Sequence, residues 1–256
     1  MIAGKEDEVV KVTAADLFDP AFRSIELHMQ LGGRVSNPSD IAEKVLTTLD
    51  LLETLDTRPM EWLHVNYSEH RMGSDNKLPR TQPQMELSVK DGARKDDAGQ
   101  FYASWGYSVS ILGFLARGDR RVAPFDLSVV DGDQDPRSGN SFRLSFDDAL
   151  VPDRDSIIES FASLVKIWRP TRGAIDGLEL AKRHRNDRIL YPPIGVITYF
   201  AENATYTLPA SPLVDARPLN GGTLAILKDW TLESVLAYEE LFRDLYEGMP
   251  NPRFSR

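Results

Sequence analysis

The middle of the chain contains three segments in which apolar and polar residues alternate one by one. Alternation with a period of two places the apolar side chains on one face of a strand and the polar side chains on the other. The apolar members are Tyr107, Val109 and Ile111; Phe125, Leu127 and Val129; and Phe142, Leu144 and Phe146. Turn-rich segments at 116–119 and 131–140 join the three. The pattern therefore predicts an antiparallel β-meander.

Three amphipathic segments, at about 38–55, 153–168 and 231–247, are typical of helices. Asn37 is a suitable N-cap for the first, and Pro170 ends the second. Further strands are expected at 24–31, 61–67, 194–200 and 221–227. Helices grouped around a meander, rather than strict alternation of strand and helix, predict an α+β fold. We expect a mostly antiparallel sheet packed with about three main helices.

The length of 256 residues is compatible with a single α+β domain spanning 1–256. Its least periodic part, at about 69–100, is rich in polar residues, glycine and proline, and is predicted to be a long polar excursion on the surface. The amino-terminal residues are charged and lack the apolar stretch of a secretion signal, and no apolar run approaches the length of a membrane span. We therefore expect a cytoplasmic protein without a membrane partner.

The charge balance is acidic, with a formal net charge of −9. This argues against direct nucleic-acid binding, which requires concentrated Lys and Arg to neutralise phosphates. Acidic residues are concentrated in 125–160, where nine acids face three basic residues, and in 231–247, where five acids face Arg243. Such negative fields favour encounter with a basic partner, although they also serve solubility.

The sequence carries no recognised catalytic or cofactor-binding motif, and it contains no cysteine. Asp131, Asp133 and Asp135 have the spacing that opens a calcium loop, but Pro136 stands where that loop needs glycine. An Asp- and Gly-rich turn is the better interpretation. The four histidines are scattered without metal-ligand spacing. We expect no catalytic residue, no metal ligand and no cofactor; the open alternative is a metal-dependent hydrolase assembled from dispersed carboxylates and histidines.

The order of short motifs indicates a family. A helical segment at 40–56 leads to Trp62, and Gly106-Tyr107 opens a strand of the meander. The helix with Phe161 and Trp168 follows, then GVITY at 195–199 and GGTL at 221–224 before the final helix. This order, from about residue 36 to 247, resembles the immunity protein 52 family of bacterial polymorphic toxin systems. One position departs from it, because Val196 stands where we expect a tryptophan.

The resemblance implies an antitoxin that binds and neutralises a cognate nuclease-type toxin, commonly one delivered by a type VI secretion system. The inhibitor would cover the toxin's active site or block the toxin's own assembly, and an effector chaperone or adaptor is a further alternative. An acidic inhibitor suits a nuclease domain, whose surface for nucleic acid is basic. The residues expected to bind the partner are Asp131, Asp133, Asp135, Trp230, Glu239, Glu240 and Asp244.

Overall fold

A computed structural model describes residues 18–22, 25–55, 59–65, 77–102, 104–117, 120–135, 139–146, 153–177, 180, 194–202, 204 and 207–246. Within this part of the chain the helices are α1 (Pro38–Leu55), α2 (Gln82–Asp91), α3 (Arg154–Trp168) and α4 (Leu232–Tyr246), with a short 3-10 helix at Pro20–Phe22. The strands are β1 (Ile25–Gln30), β2 (Met60–His64), β3 (Trp105–Arg117), β4 (Arg120–Asp133), β5 (Ser141–Phe146), β6 (Arg172–Gly177), β7 (Ile197–Ala201), β8 (Val214–Leu219) and β9 (Gly222–Leu227).

These nine strands form one antiparallel sheet in the order β2-β3-β4-β5-β1-β6-β7-β9-β8. The predicted meander occupies β3, β4 and β5, and β1 is inserted between β5 and β6. The expectation of an α+β fold with a mostly antiparallel sheet is therefore confirmed.

The helices lie on both faces of the sheet. Trp168 of α3 packs on Phe142 of β5, with ring centroids 5.3 Å apart. Phe242 of α4 stacks on Phe200 of β7 at 5.7 Å. Phe142 pairs with Met29, Met29 pairs with Gly173, and Gly173 pairs with Tyr199, so these positions share one face of the sheet. Phe200 is the residue next to Tyr199 in β7. Because successive residues of a strand point to opposite faces, α3 and α4 cover opposite faces of the sheet.

Local chemistry fixes the helix ends. The Asn37 side chain accepts the Asp40 N–H at 2.9 Å, and Pro38 occupies the first helical position of α1. Asp153 accepts the Ser156 N–H at the start of α3. Arg169 adopts a left-handed conformation, φ 45°, at the end of α3. The helices predicted from periodicity thus begin and end within a residue or so of the predicted positions.

The segment at about 69–100 is not a polar excursion throughout. Residues 66–76 lie outside the described part, but Gln82–Asp91 forms α2, which packs against α1. Met85 and Val89, one helical turn apart, are fully buried. The prediction missed this helix because only two of its side chains are buried, which leaves too narrow an apolar stripe to stand out.

Two strands also lie where alternation did not predict them. Gly173–Gly177 of β6 are all buried, so this strand has no solvent-facing side and its sequence shows no alternation of apolar and polar residues. In β8 four consecutive residues are exposed, since the strand lies at the edge of the sheet. The strand predicted at 194–200 is shorter in the structure and begins at Ile197.

Candidate protein-interaction surface

Asp131, one of the acids expected to face a partner, is completely buried. Its two carboxylate oxygens each accept a hydrogen bond from Arg34, from Nε and Nη2, at 2.6 Å. Lys44 Nζ of α1 lies 3.7 Å away. Burial is the main cause that lowers the pKa of Lys44, and the neighbouring Arg34 lowers it further, whereas Asp131 raises it. Asp131 therefore holds the fold together and is not accessible to a partner.

Arg34 also connects this carboxylate to the end of α3 and to the backbone of β4. Its Nη1 donates to the Trp168 carbonyl at the end of α3, at 2.6 Å, and its backbone N–H donates to the Asp133 carbonyl. Buried Asn140 continues the network, because its side chain donates to the carbonyls of Gly32 and Asp133 at 2.7 Å. The end of β4 is thereby fixed by hydrogen bonds to the 31–36 loop, to α3 and to the start of β5.

The other two acids of this turn are more accessible. Asp133 is largely covered, and one carboxylate oxygen lies 3.0 Å from Arg94 Nη1. The other accepts the N–H of Asp135 at 3.0 Å. Asp135 itself is exposed. The carboxyl-terminal end of β4 thus presents Asp135 to solvent on a rigid support.

The predicted residues on and beside α4 also include both buried and exposed side chains. Trp230 is buried: its ring lies 5.0 Å from that of Phe18, and its indole N–H donates to the Leu227 carbonyl at 3.2 Å. Glu239 is buried as well. Glu240 is exposed and pairs with Arg243 at 2.8 Å. Asp244 lies in the helix, but its side chain is outside the described part.

The structure does not bring the two predicted acidic regions together. The Asp131–Asp135 turn lies at the end of β4, between the 31–36 loop and β3. Helix α4 covers β7 on the other side of β1, β5 and β6. A single small interface cannot use both regions at once.

One exposed feature of the described residues, a cluster of aromatic side chains, was not predicted. Phe101, Tyr102 and Trp105 are 40%, 37% and 39% exposed and lie within five positions of one another. We call these three residues the aromatic surface. Tyr102 and Trp105 have ring centroids 4.9 Å apart, and Phe101 lies 5.9 Å from the half-buried Tyr107. Exposed aromatic clusters are uncommon on proteins and are enriched at interfaces.

A short hairpin carries the aromatic surface. Isolated bridges pair Ala93 with Tyr107 and Lys95 with Phe101, so the hairpin adds to the end of β3. At its tip the Asp96 carboxylate accepts the N–H groups of Ala98 and Gln100. Gly99 follows with φ +81°, a conformation that glycine adopts without strain. Phe101 and Tyr102 therefore directly follow a closed turn, and Trp105 begins β3.

A glycine makes the junction with the sheet possible. Gly106 has φ +72°, and a Cβ atom there would lie 2.3 Å from the Asp131 carbonyl oxygen. Trp105 and Tyr107 pair with Asp133 and Asp131 on either side of it. The Gly-Tyr pair at 106–107 thus has a structural cause, namely the close approach of β4 where the aromatic surface begins.

Three carboxylates lie in the same hairpin and at the adjoining end of β4. Asp96 and Asp97 lie in the hairpin turn, and Asp135 lies beyond the Trp105–Asp133 pair, where the Gln134 N–H donates to the Ser104 carbonyl. Asp97 and Asp135 are exposed, and Asp96 is partly so. We call these three acids the acidic rim. Lys95 is an exposed cation in the same hairpin, whereas Arg94 is engaged by Asp133 and the Trp105 carbonyl.

A depression lies between α3 and the edge strand β8. It has a volume of about 410 Å³ and is lined mainly by charged side chains of both signs, with an apolar floor: Arg154, Asp155, Asp215, Arg217, Lys228, Ile158, Ala216 and Ile226. Arg154 is held there by the Leu227 carbonyl and by the Trp230 ring, 5.0 Å away. The depression lies apart from the aromatic surface and contains two carboxylates and no histidine.

The dispersed histidines and carboxylates form no metal-binding group in the described ranges. No group of three His, Asp or Glu side chains in them is placed to hold a metal ion. His64 Nε2 is buried and has no hydrogen-bond partner within this part of the chain. Burial lowers the pKa of His64. His70 and His184 lie outside the described residues.

No helix in the described part of the chain is sufficiently long and apolar to span a membrane.

Comparison with known proteins assigns no family to this chain. No protein-family model matches the chain, so the similarity to the immunity protein 52 family remains a resemblance of motif order. No curated protein matches it either. The type VI secretion system (T6SS) protein PA0821 of Pseudomonas aeruginosa has a related structure, with 11% sequence identity and a TM-score of 0.49. The alignment covers 86% of this chain and 72% of that protein, and its low identity and score carry no inference about function.

Proposed function

We propose that this protein is an immunity protein that binds a cognate nuclease-type toxin in the cytoplasm and neutralises it in a one-to-one complex. The observation that carries the proposal is the aromatic surface, two exposed rings on a closed hairpin and a third at the start of β3, beside the acidic rim. Aromatic side chains at the centre of an interface supply much of its binding energy. The resemblance in motif order and the net charge of −9 point to the same class of partner.

Rigid support strengthens the proposal. The hairpin is bonded to β3, and β3 pairs with the end of β4, which the Arg34–Asp131 pair and Asn140 hold in place. A surface that is ordered before binding loses little conformational entropy in the complex. The geometry is therefore suited to tight protein binding.

The test is co-expression with the product of the neighbouring gene. We expect the two proteins to co-purify, and we expect this protein to restore growth to cells that express the neighbour. Co-purification without restored growth would contradict the immunity function and favour an effector chaperone or adaptor. Absence of both would contradict the proposal altogether.

The surface responsible is located by two matched variants. Trp105→Ala removes a ring from the aromatic surface, and Leu241→Ala removes an exposed apolar side chain from α4. We expect Trp105→Ala to weaken growth protection and Leu241→Ala to leave it intact. The reverse pattern would assign recognition to α4.

A further inference from the structure

The aromatic surface and the acidic rim combine two kinds of chemistry within one hairpin and the adjoining strand end. The rings offer flat π faces in two tilted pairs, Tyr102 with Trp105 and Phe101 with Tyr107. The rim offers carboxylates at Asp96, Asp97 and Asp135. A single strand of nucleic acid also combines aromatic rings, its bases, with anionic oxygens, its phosphates.

Protein grooves that bind single strands have the complementary chemistry. They line a positively charged path with aromatic side chains on which bases stack, and this stacking tolerates any base because every base has a π face. An exposed tryptophan or tyrosine ring meets the same requirement, and it also attracts the guanidinium groups that accompany such a groove. Carboxylates can replace phosphates as hydrogen-bonding partners of the Lys and Arg side chains that line the groove.

The charge on the hairpin fits that partner better than an acidic one. Arg94 is bound to Asp133 and to the Trp105 carbonyl. Lys95 is the remaining cation of the hairpin, against the carboxylates of Asp96 and Asp97 within it and Asp135 beside it. A basic groove would gain attraction from this surface, and an acidic one would be repelled.

We propose that the aromatic surface enters the nucleic-acid-binding groove of the partner, so that this protein and nucleic acid exclude each other. The inference rests on the proposed function, since it assumes a partner that acts on nucleic acid. It goes further by selecting direct occupation of the substrate groove over inhibition at a distant site or interference with toxin assembly.

The experiment is a competition assay with a catalytically inactive variant of the neighbouring gene product. A fluorescently labelled oligothymidylate, and in a second series an oligouridylate, is bound to that protein and then titrated with this one. We expect the labelled strand to be released fully, with the required concentration rising in proportion to the amount of strand present. Trp105→Ala and Tyr102→Ala should each require at least about tenfold more protein, because a hot-spot ring contributes on the order of 1.4 kcal/mol or more.

Each contrary outcome has its own meaning. A ternary complex that retains the labelled strand would overturn the groove proposal and leave the proposed function standing. No complex with the neighbouring gene product, with or without nucleic acid, would overturn both. Trp105→Phe keeps a ring and should restore most of the competition. If it does not, although circular dichroism shows a folded protein, the ring chemistry is not responsible and the groove proposal fails.

Discussion

The Arg34 guanidinium holds the buried Asp131 carboxylate with two hydrogen bonds of 2.6 Å, across 97 positions of sequence. The pair joins the 31–36 loop to the end of β4, immediately beside the strand pair that begins the aromatic surface. A bidentate pair fixes orientation as well as distance. It therefore supports the geometry of the proposed interface, although neither residue lies in it.

Removal of one member of this pair should be strongly destabilising. Arg34→Ala leaves a fully buried carboxylate with Lys44 as its nearest remaining cation, and breaking a buried pair in this way costs about 3–5 kcal/mol. Urea denaturation followed by tryptophan fluorescence measures the change. The control is Arg143→Ala, which breaks an exposed pair with Glu26 and should cost about 1 kcal/mol or less. Equal losses in the two variants would show that Asp131 does not depend on Arg34.

The two glycines of the GGTL motif should differ in their tolerance of substitution. Asn220 and Gly221 both have positive φ in the turn between β8 and β9, so Gly221→Ala should cost about 1–2 kcal/mol from backbone strain. At Gly222 a Cβ atom would lie 2.3 Å from the Phe200 carbonyl oxygen. Because that backbone oxygen cannot move away cheaply, Gly222→Ala should cost about 3 kcal/mol or more. Thermal unfolding of the two variants gives the order, and a less stable Gly221→Ala would refute this account of the motif.

The cap of α3 should contribute a pH-dependent part of the stability. Hydrogen bonds from the N–H and hydroxyl of Ser156 lower the pKa of Asp153 below its ordinary value of 3.8. A carboxyl group whose pKa is lower in the folded state stabilises the fold above its unfolded pKa, and this stabilisation is lost as the pH falls through the folded pKa. Asp153→Asn retains a cap but no charge. Its melting temperature should fall below that of the wild type near pH 7, and the difference should shrink as the pH falls through the lowered pKa of Asp153; a constant difference would exclude the charge as the cause.

Charge reversal in the acidic rim should change the rate of association with the partner without changing the fold. Asp97 is exposed, so its change to Lys should preserve the fold while slowing association with a basic partner. We expect the association rate to fall and to become less sensitive to salt, because steering is screened by ions. Stopped-flow binding at several salt concentrations measures both effects. Glu240→Lys on α4 is the matched exposed control, and an equal effect there would indicate general charge rather than the acidic rim.

Much of the architecture could be predicted from the sequence because the relevant signals are local. Asn37 and Pro38 mark the start of α1, and single-residue alternation marks β3, β4 and β5. The missed elements lack such signals. In β6 both faces are covered, so Ala174 and Ile175 are buried side by side and no alternation remains. In α2 only Met85 and Val89 are buried.

The candidate site could be predicted only in part, because burial of an acid depends on distant residues. Nothing near Asp131 indicates that Arg34 will enclose it, and nothing near Trp230 indicates that Phe18 will cover its ring. The exposed Asp135 and Glu240 have the accessibility that the prediction requires. The sequence did contain a signal for the aromatic surface, since Phe101, Tyr102, Trp105 and Tyr107 occupy four of the seven positions directly after the polar segment at 69–100.

The central claim is that the aromatic surface recognises the toxin. Its most direct test is the dissociation constant of the complex with the neighbouring gene product, measured by calorimetry for the wild type, Trp105→Ala and Leu241→Ala. We predict that Trp105→Ala weakens binding about 30-fold or more, as expected for loss of about 2 kcal/mol from a hot-spot ring, while Leu241→Ala stays within about threefold of the wild type. Unchanged affinity in a folded Trp105→Ala variant would contradict the claim.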